Sequence, residues 1–250
     1  MGTINNSNKQ ITIALVGKIT DSYDSYSKVE ESVFHSRDFL KIDVDILWVD
    51  SSKVDRTNVE ESINGADGII LLGGFGENGV EGMIETAKYA RENNIPLLGI
   101  CLGMQVIVIE FARNVLGYKN ATSTEFNEKT GHPVVDKTPE KRKDNNAMRK
   151  GCYLCDIVKD SLAHHIYERE MTEEVLRHGY EFNNLYKEQY EDKGLSFTGS
   201  LNGSYAVEIV EFPQNEFYLG VQFHPEFRSS STKPHPLFTR LIQKCLDNKK

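Results

Sequence analysis

Short apolar runs alternate with helix-like segments through the first half of the chain, and this alternation constrains the fold more than any other feature. The runs that suit buried strands are residues 11–16, 44–49, 69–72 and 96–100. The segments that suit helices are residues 25–40, 58–64, 80–93 and 104–116. Because such alternation is typical of βαβ units, the sequence predicts an α/β fold built on a parallel sheet.

The second half of the chain has a different pattern. Residues 136–151 are charged and poor in apolar side chains, which predicts a mobile loop. The later β-like segments are residues 152–158, 195–199, 205–211 and 218–223. They predict a small antiparallel β section appended to the α/β unit. No repeat or convincing linker interrupts the chain, so we expect a disordered polar tail at 1–10 and a single domain over 11–246.

The composition narrows the classes of function. Lysine and arginine total 29 and aspartate and glutamate total 37, so the 250-residue chain has a net charge of −8 at pH 7. This charge disfavours nonspecific binding to nucleic acid and to anionic membranes. No apolar stretch approaches the roughly 18 residues of a membrane-spanning helix, and the first ten residues lack the apolar core of a signal peptide. We therefore expect a cytoplasmic protein with reduced thiols.

A glycine-flanked cysteine follows the fourth apolar run. Gly99-Ile100-Cys101-Leu102-Gly103 has the G-x-C-x-G form of a nucleophile elbow, the sharp turn that joins a strand to a helix. The turn strains the backbone of its central residue, so neighbours that lack Cβ relieve crowding. The helix that follows presents its positive end to the sulfur and favours the nucleophilic thiolate. The alternative is that Cys101 is simply a small buried hydrophobic residue.

A thiolate nucleophile needs a proton carrier, which is usually a histidine held by a carboxylate. The histidines of the chain are His35, His132, His164, His165, His178, His224 and His235. His224 differs from the helix and loop histidines, which we expect at the surface, because it directly follows the strand-like residues 218–223. Glu226 lies two residues onward and would hold the ring nitrogen that faces away from sulfur, with Pro225 stiffening the spacer.

Three motifs together resemble those of the class I, or triad, glutamine amidotransferases. They are GGFG at 73–76, GICLGMQ at 99–105 and QFHPEF at 222–227. Longer stretches look most like the glutaminase domain of CTP synthase, namely VGK at 16–18, residues 80–105, IEFARNVLG at 109–117, STEF at 123–126, GHPVVD at 131–136 and PHPLF at 234–238. The resemblance covers about residues 11–246. It implies a mostly parallel, doubly wound sheet with helices on both faces.

The resemblance also implies catalytic roles. Cys101 would attack the side-chain amide of glutamine and form a γ-glutamyl thioester, while His224 would carry the proton and Glu226 would orient the imidazole. The backbone N–H groups of Gly74 and Leu102 would form the oxyanion hole, where the loss of one donor costs about 3 kcal/mol. The products would be glutamate and ammonia, and the reaction needs neither a cofactor nor a metal.

Two further positions, Gln105 and Glu125, correspond to substrate-contacting residues of the family. Gln105, Glu125 and Tyr180 are expected to contact the substrate, and Glu125 would accept a hydrogen bond from its α-ammonium group. The implied ligand is a small molecule, either glutamine or another γ-glutamyl amide.

Gly179 departs from the resembled pattern. It lies in RHGYEFN at 177–183, where the family has an arginine near the α-carboxylate of glutamine. Without the guanidinium, a charge-assisted contact worth about 1.5–3 kcal/mol is lost. Three explanations are open: Arg177 compensates, free glutamine binds poorly, or the substrate lacks that carboxylate.

Two loops depart from the pattern as well. The glycine loop carries Asn78 where the family has arginine, and residues 145–151 diverge from the family's GGTMRLG. In the family these loops lie toward the synthetase and the GTP site, so their divergence argues against GTP activation. The chain contains no P-loop pattern, and about ten residues precede the first strand. We therefore expect CTP formation to require a separate synthetase chain.

Two remaining patterns have structural explanations. Cys152 and Cys155 form a lone C-x-x-C, for which a zinc site would need two more ligands, such as His164 or His165. We expect instead that both thiols point inward at the start of a strand. The basic run at 137–150 contains interspersed acidic residues and predicts a solvated loop. Beyond a free-standing amidohydrolase, the open alternatives are a glutaminase subunit and a noncatalytic relative that binds a metabolite or regulates CTP synthase.

Overall fold

A nine-stranded sheet forms the centre of the computed structural model, which describes residues 10–18 and 26–249. Its parallel strands, in sheet order, are β2 (Asp43–Asp50), β1 (Gln10–Gly17), β3 (Gly68–Leu71), β4 (Leu97–Ile100) and β12 (Tyr218–Val221). The strands β3, β4 and β12 are buried along their whole length. Burial on both faces explains their continuous apolar sequences.

Antiparallel strands extend the same sheet beyond β12. They follow in the order β11 (Val207–Glu211), β10 (Ser196–Leu201), β7 (Arg149–Ile157) and β8 (Met171–His178). A second, three-stranded sheet contains β5 (Ala121–Ser123), β6 (His132–Lys137) and β9 (Tyr180–Phe182). Gly179 alone separates β8 from β9, so it lies where the chain passes from one sheet to the other.

Helices cover both faces of the main sheet. On one face α1 (Ser27–Leu40) packs against α8 (Pro236–Asn248), and on the other α3 (Val80–Glu92) packs against α4 (Leu102–Asn114). The strand β1 contributes to both faces, because Ile13 and Leu15 belong to the hydrophobic cluster that contains α1 and α8, while Ala14 and Val16 belong to the cluster that contains α3 and α4. The short helices are α2 (Val59–Ser62), α5 (Pro139–Lys143), α6 (Leu162–Tyr167) and α7 (Lys187–Glu191), and the 3-10 helices are Ser51–Lys53, Asn184–Tyr186 and Pro225–Arg228.

The predicted α/β fold, with a mostly parallel sheet, helices on both faces and a smaller β section, is confirmed. The antiparallel part is larger than expected, since it continues the main sheet. The prediction of one loop over 136–151 was wrong, because this segment contains α5 and enters β7. Most of the predicted tail lies outside the described residues, and Gln10 already belongs to β1.

The two thiols of the C-x-x-C pattern do not both point inward. They lie three residues apart on β7 and therefore project to opposite faces, with Cys155 buried and Cys152 exposed. Within residues 10–18 and 26–249, no group of three or more His, Cys, Asp or Glu side chains is placed to hold a metal ion. In the same ranges, no helix has the length and apolar character needed to span a membrane.

Candidate active site

Cys101 lies at the sharp turn between β4 and α4. Its backbone has φ 53° and ψ −102°, which is strained for a residue that carries Cβ. Its N–H donates to the Val221 carbonyl of β12 at 2.8 Å. A Cβ on Gly99 would lie 2.7 Å from the Gly103 backbone, and a Cβ on Gly103 would collide with the Leu71 carbonyl. The flanking glycines therefore permit the close approach of strand and helix that forms the turn.

His224 lies in the short segment that follows β12, and Glu226 belongs to the 3-10 helix Pro225–Arg228. The distance between His224 Nδ1 and Glu226 Oε1 is 2.7 Å, and the His224 N–H donates to the Val175 carbonyl of β8 at 2.8 Å. A Cβ on Gly73 would lie 3.3 Å from His224 Cε1 and 3.6 Å from Cys101 Cβ. The imidazole and the thiol thus flank the same glycine, so the structure brings the three predicted residues together.

The electrostatic surroundings favour a protonated His224. Burial lowers the pKa of His224, but the Cys101 sulfur and the Glu226 carboxylate raise it to about 10 from the ordinary 6.5. Its Nε2 is buried and makes no hydrogen bond within the part of the chain that the structure describes. This nitrogen is therefore available to the sulfur, and an imidazolium there stabilises the thiolate form of a cysteine.

A second imidazole lies nearby in a different environment. His178 on β8 is buried, and its Nδ1 lies 2.9 Å from the Tyr180 carbonyl. Burial and the Arg149 charge lower the pKa of His178 to about 3, so the ring is neutral at neutral pH. His235 is buried too, with Nε2 3.2 Å from a carboxylate oxygen of Glu174. The expected surface position of the other histidines was therefore wrong for these two, which have polar partners inside the fold.

The predicted oxyanion-hole donors lie beside the thiol. Leu102 is the first residue of α4, so its N–H has no acceptor within the helix. Gly74 belongs to the loop that follows β3, and a Cβ there would contact Leu102 Cδ2 at 3.3 Å. The loop and the start of the helix are thus in contact, and Gly73, the neighbour of Gly74, lies beside Cys101.

Lys18 and Glu125 hold the glycine loop from two sides. Lys18 Nζ donates to the carbonyls of Phe75 and Gly76, the latter at 2.7 Å. Glu125 Oε1 accepts the Gly76 N–H at 2.7 Å. Burial raises the pKa of Glu125, whereas the Gly76 amide and the charges of Lys18 and Lys141 oppose that rise. Lys18 was not predicted as a site residue, although it ends the VGK stretch.

Two adjoining cavities of about 380 Å³ each open around these residues. The residues that line the first cavity include Gly73, Gly74, His224 and Glu226, whereas the buried Cys101 lies behind them. The residues that line the second cavity include Glu125, Lys141, Gly179 and Tyr180. Phe75 and Arg177 line both cavities. A ligand whose reactive group lies in the first cavity can therefore extend its other end into the second.

Gln105 lies behind these cavities and is not among the residues that line either one. Its side chain is buried, and Nε2 donates to the Tyr180 carbonyl at 3.0 Å and to Gln222 Oε1 at 3.2 Å. Gln222 Nε2 lies 3.7 Å from Cys101 Sγ. Gln105 is thus connected to the sulfur through Gln222, a residue of the QFHPEF motif to which sequence analysis gave no role.

The sequence matches the family described as Glutamine amidotransferase class-I over residues 19–244. The chain belongs to this family. It is 45% identical to the CTP synthase of Caldanaerobacter subterraneus over 98% of this chain and 46% of that protein. It is 44% identical to the CTP synthase of Aquifex aeolicus over 100% of this chain and 47% of that protein. The chain therefore spans about half the length of these curated relatives.

A solved structure extends the similarity to three dimensions. The glutaminase domain of Trypanosoma brucei CTPS with bound acivicin superposes with a TM-score of 0.90 and 38% sequence identity, covering 95% of this chain and 94% of that chain. The resemblance inferred from the motifs is thereby confirmed, both for the amidotransferase family and for its CTP synthase branch.

Proposed function

We propose that this chain hydrolyses the side-chain amide of L-glutamine to glutamate and ammonia. The observation that carries the proposal is the convergence of Cys101, His224 and Glu226 beside the glycine loop. Membership of the glutamine amidotransferase family and similarity to a glutaminase domain support the choice of substrate.

Cys101 supplies the nucleophile in the first half of the reaction. Its thiolate adds to the amide carbon, and the negative charge that develops on the oxygen is stabilised by the N–H groups of Gly74 and Leu102. His224 gives its proton to the nitrogen of the leaving group, so that the C–N bond breaks and ammonia departs. A γ-glutamyl thioester remains on Cys101.

Water completes the cycle in the second half. His224, now neutral, accepts a proton from a water molecule as the water oxygen attacks the thioester carbon. The tetrahedral species then expels the Cys101 thiolate, releases glutamate and leaves His224 protonated again. Glu226, whose Oε1 lies 2.7 Å from Nδ1, orients the ring and stabilises the imidazolium.

The substrate contacts form a second part of the proposal. Glu125 accepts a hydrogen bond from the α-ammonium group, and Tyr180 forms part of the wall around the same end of the substrate. Gln105 acts from behind this wall, where it holds the Tyr180 carbonyl and Gln222.

Turnover of glutamine by the purified chain tests the proposal. We expect glutamate and ammonia in equal amounts, and a loss of at least about 1,000-fold in kcat for Cys101→Ala, because the nucleophile is removed. Cys152→Ala is the matched control, since this exposed thiol lies on β7. Failure of the unmodified protein to release ammonia from glutamine, or full activity in Cys101→Ala, would contradict the proposal.

A second candidate is the hydrolysis of another γ-glutamyl amide, which has the same α-carboxylate and reactive carbonyl as glutamine and differs only in the amine that leaves. A panel of γ-glutamyl amides distinguishes the two candidates through the amine that each releases. A diazo-ketone analogue of glutamine separates both from a noncatalytic relative, since stoichiometric labelling of Cys101 requires a reactive site.

We further propose that the ammonia supplies an ATP-dependent synthetase. The support is the similarity to CTP synthases over about half of their length. Adding a synthetase that lacks its own amidotransferase part tests this step, and we expect CTP to form in a glutamine-dependent reaction. The step is contradicted if no CTP forms and the synthetase leaves the glutaminase activity unchanged.

A further inference from the structure

The short helix α5 brings a cation to the wall of the second cavity. The Lys141 side chain crosses Gly179, because a Cβ on Gly179 would lie 2.7 Å from Lys141 Cδ and 3.3 Å from Cε. The ammonium lies 5.2 Å from the centre of the Tyr180 ring and donates to the Asn145 carbonyl at 2.7 Å. The missing side chain at position 179 therefore provides the space that Lys141 occupies.

Local contacts fix the backbone of Lys141 at this place. The Thr138 N–H donates to the Gly179 carbonyl at 2.9 Å, and the Thr138 hydroxyl accepts the Lys141 N–H at 3.2 Å. Arg149, which is 4% exposed, forms an ion pair with Glu140 of the same helix at 3.1 Å. The helix is thus tied to β7 and to the junction of β8 and β9, so that Lys141 does not belong to a freely solvated loop.

Opposite charges meet in the second cavity. Glu125 and Lys141 both line it, and the Lys141 charge acts on the Glu125 carboxyl by opposing the rise in pKa that burial causes. Lys18, the other cation that acts on Glu125, already donates to two carbonyls of the glycine loop. A carboxylate and an ammonium in one small cavity match the two charges of an amino acid zwitterion.

We propose that Lys141 binds the α-carboxylate of the substrate in the space that Gly179 leaves, while Glu125 binds the α-ammonium group. The proposal rests on the proposed amide hydrolysis for the identity of the reactive end. It assigns the ligand to the class of free α-amino acids that carry a side-chain amide. The proposal assigns the α-carboxylate to Lys141 and not to Arg177, the other cation that lines the second cavity. Arg177 is exposed on β8, where the two cavities meet.

Two substrates separate carboxylate binding from every other effect. L-Glutamine carries the α-carboxylate, and 4-aminobutanamide is the same molecule without it. For Lys141→Gln we expect the KM for glutamine to rise about 10- to 100-fold, the usual loss for a hydrogen bond to a charged group, with kcat nearly unchanged. The KM for 4-aminobutanamide should stay as in the unmodified protein, because this substrate has no carboxylate to lose.

Three further variants sharpen the comparison. Lys143→Gln removes an exposed charge from the same helix and should leave both KM values unchanged. Gly179→Arg in the Lys141→Gln background should restore the KM for glutamine, because it places a guanidinium in the vacated space. The proposal would be overturned if Arg177→Gln, and not Lys141→Gln, selectively raised the KM for glutamine. It would also be overturned if Lys141→Gln raised the KM equally for glutamine and for 4-aminobutanamide.

Calorimetric binding of L-glutamine to Cys101→Ala separates this proposal from the proposed function. If adding Lys141→Gln abolishes that binding, the proposed role of Lys141 is supported. This holds even if the unmodified protein turns over no glutamine, and in that case only the proposed function fails. If the unmodified protein turns over glutamine but Lys141→Gln does not weaken the binding, only the proposed role of Lys141 is overturned.

Discussion

His224 and His178 show that the charges beside a buried imidazole decide its protonation. Burial lowers the pKa of both rings. At His224 the Cys101 sulfur and the Glu226 carboxylate outweigh burial, whereas at His178 the Arg149 charge adds to it. His224 can therefore carry a proton at neutral pH, whereas His178 stays neutral and does not.

We expect a nuclear magnetic resonance titration of the ring nitrogens to show this difference. An ordinary imidazole is almost wholly neutral at pH 8, but His224 should stay protonated until the pH approaches its pKa of about 10. His178 should stay neutral until the pH falls toward its pKa of about 3. Glu226→Gln should lower the pKa of His224, because it removes one of the negative charges.

His224→Asn assigns the signal in that titration. A His224 ring that titrates near pH 6.5, and whose midpoint does not move in Glu226→Gln, would show that the sulfur and the carboxylate do not act on it.

The residues found from sequence are those whose type and immediate neighbours reveal their role. Cys101 is framed by glycines, and His224 is followed by Glu226 two residues later. The role of Lys18 depends instead on Phe75, 57 residues away in the chain. The position of Lys141 in α5 depends on Gly179, which lies between β8 and β9. Such long-range partners leave no local pattern, so sequence analysis assigned neither lysine a role.

The elbow depends on how closely α4 approaches β3. A Cβ on Gly103 would collide with the Leu71 carbonyl and would lie 2.9 Å from Leu71 Cβ. Gly103 lies within α4, where helix propensity alone favours alanine over glycine by about 1 kcal/mol. The close approach of the backbones therefore predicts that Gly103→Ala lowers the stability of the fold, whereas helix propensity predicts that it raises it.

We expect Gly103→Ala to lower the free energy of unfolding by about 1–3 kcal/mol, because overpacking forces the helix and strand apart. Denaturant unfolding followed by circular dichroism measures the change. Gly131→Ala is the control, since a Cβ there meets no atom within 4 Å, and it should be neutral or stabilising by less than about 1 kcal/mol. A more stable Gly103→Ala would show that the close approach does not limit the turn.

Elements with polar interiors were harder to predict than apolar ones. The first four strands are apolar runs, and sequence analysis placed each within one or two residues. The strand β8 buries Glu174 and His178, so its inward face carries no continuous apolar pattern. The helix α5 lies in a charged segment and is held by an ion pair with Arg149, which explains why that segment was predicted to be a loop.

The two sheets contribute different parts of the site. The carboxyl ends of β3, β4 and β12 supply the glycine loop, the thiol and the imidazole, as expected where parallel strands end. The segments of the smaller sheet, together with α5, supply Glu125, Tyr180 and Lys141. The motifs predicted the first group and also Glu125 and Tyr180 of the second, whereas Lys141 was not predicted, because its place in the second cavity depends on the smaller sheet lying beside the main one.

Trapping the acyl-enzyme tests the central claim most directly. Acid quenching during glutamine turnover, followed by digestion and mass spectrometry, should find a γ-glutamyl group on the peptide that contains Cys101, released by hydroxylamine as a thioester is. The adduct should be absent in Cys101→Ala. Continued hydrolysis of glutamine with no adduct on Cys101, or with the adduct on another residue, would contradict the account.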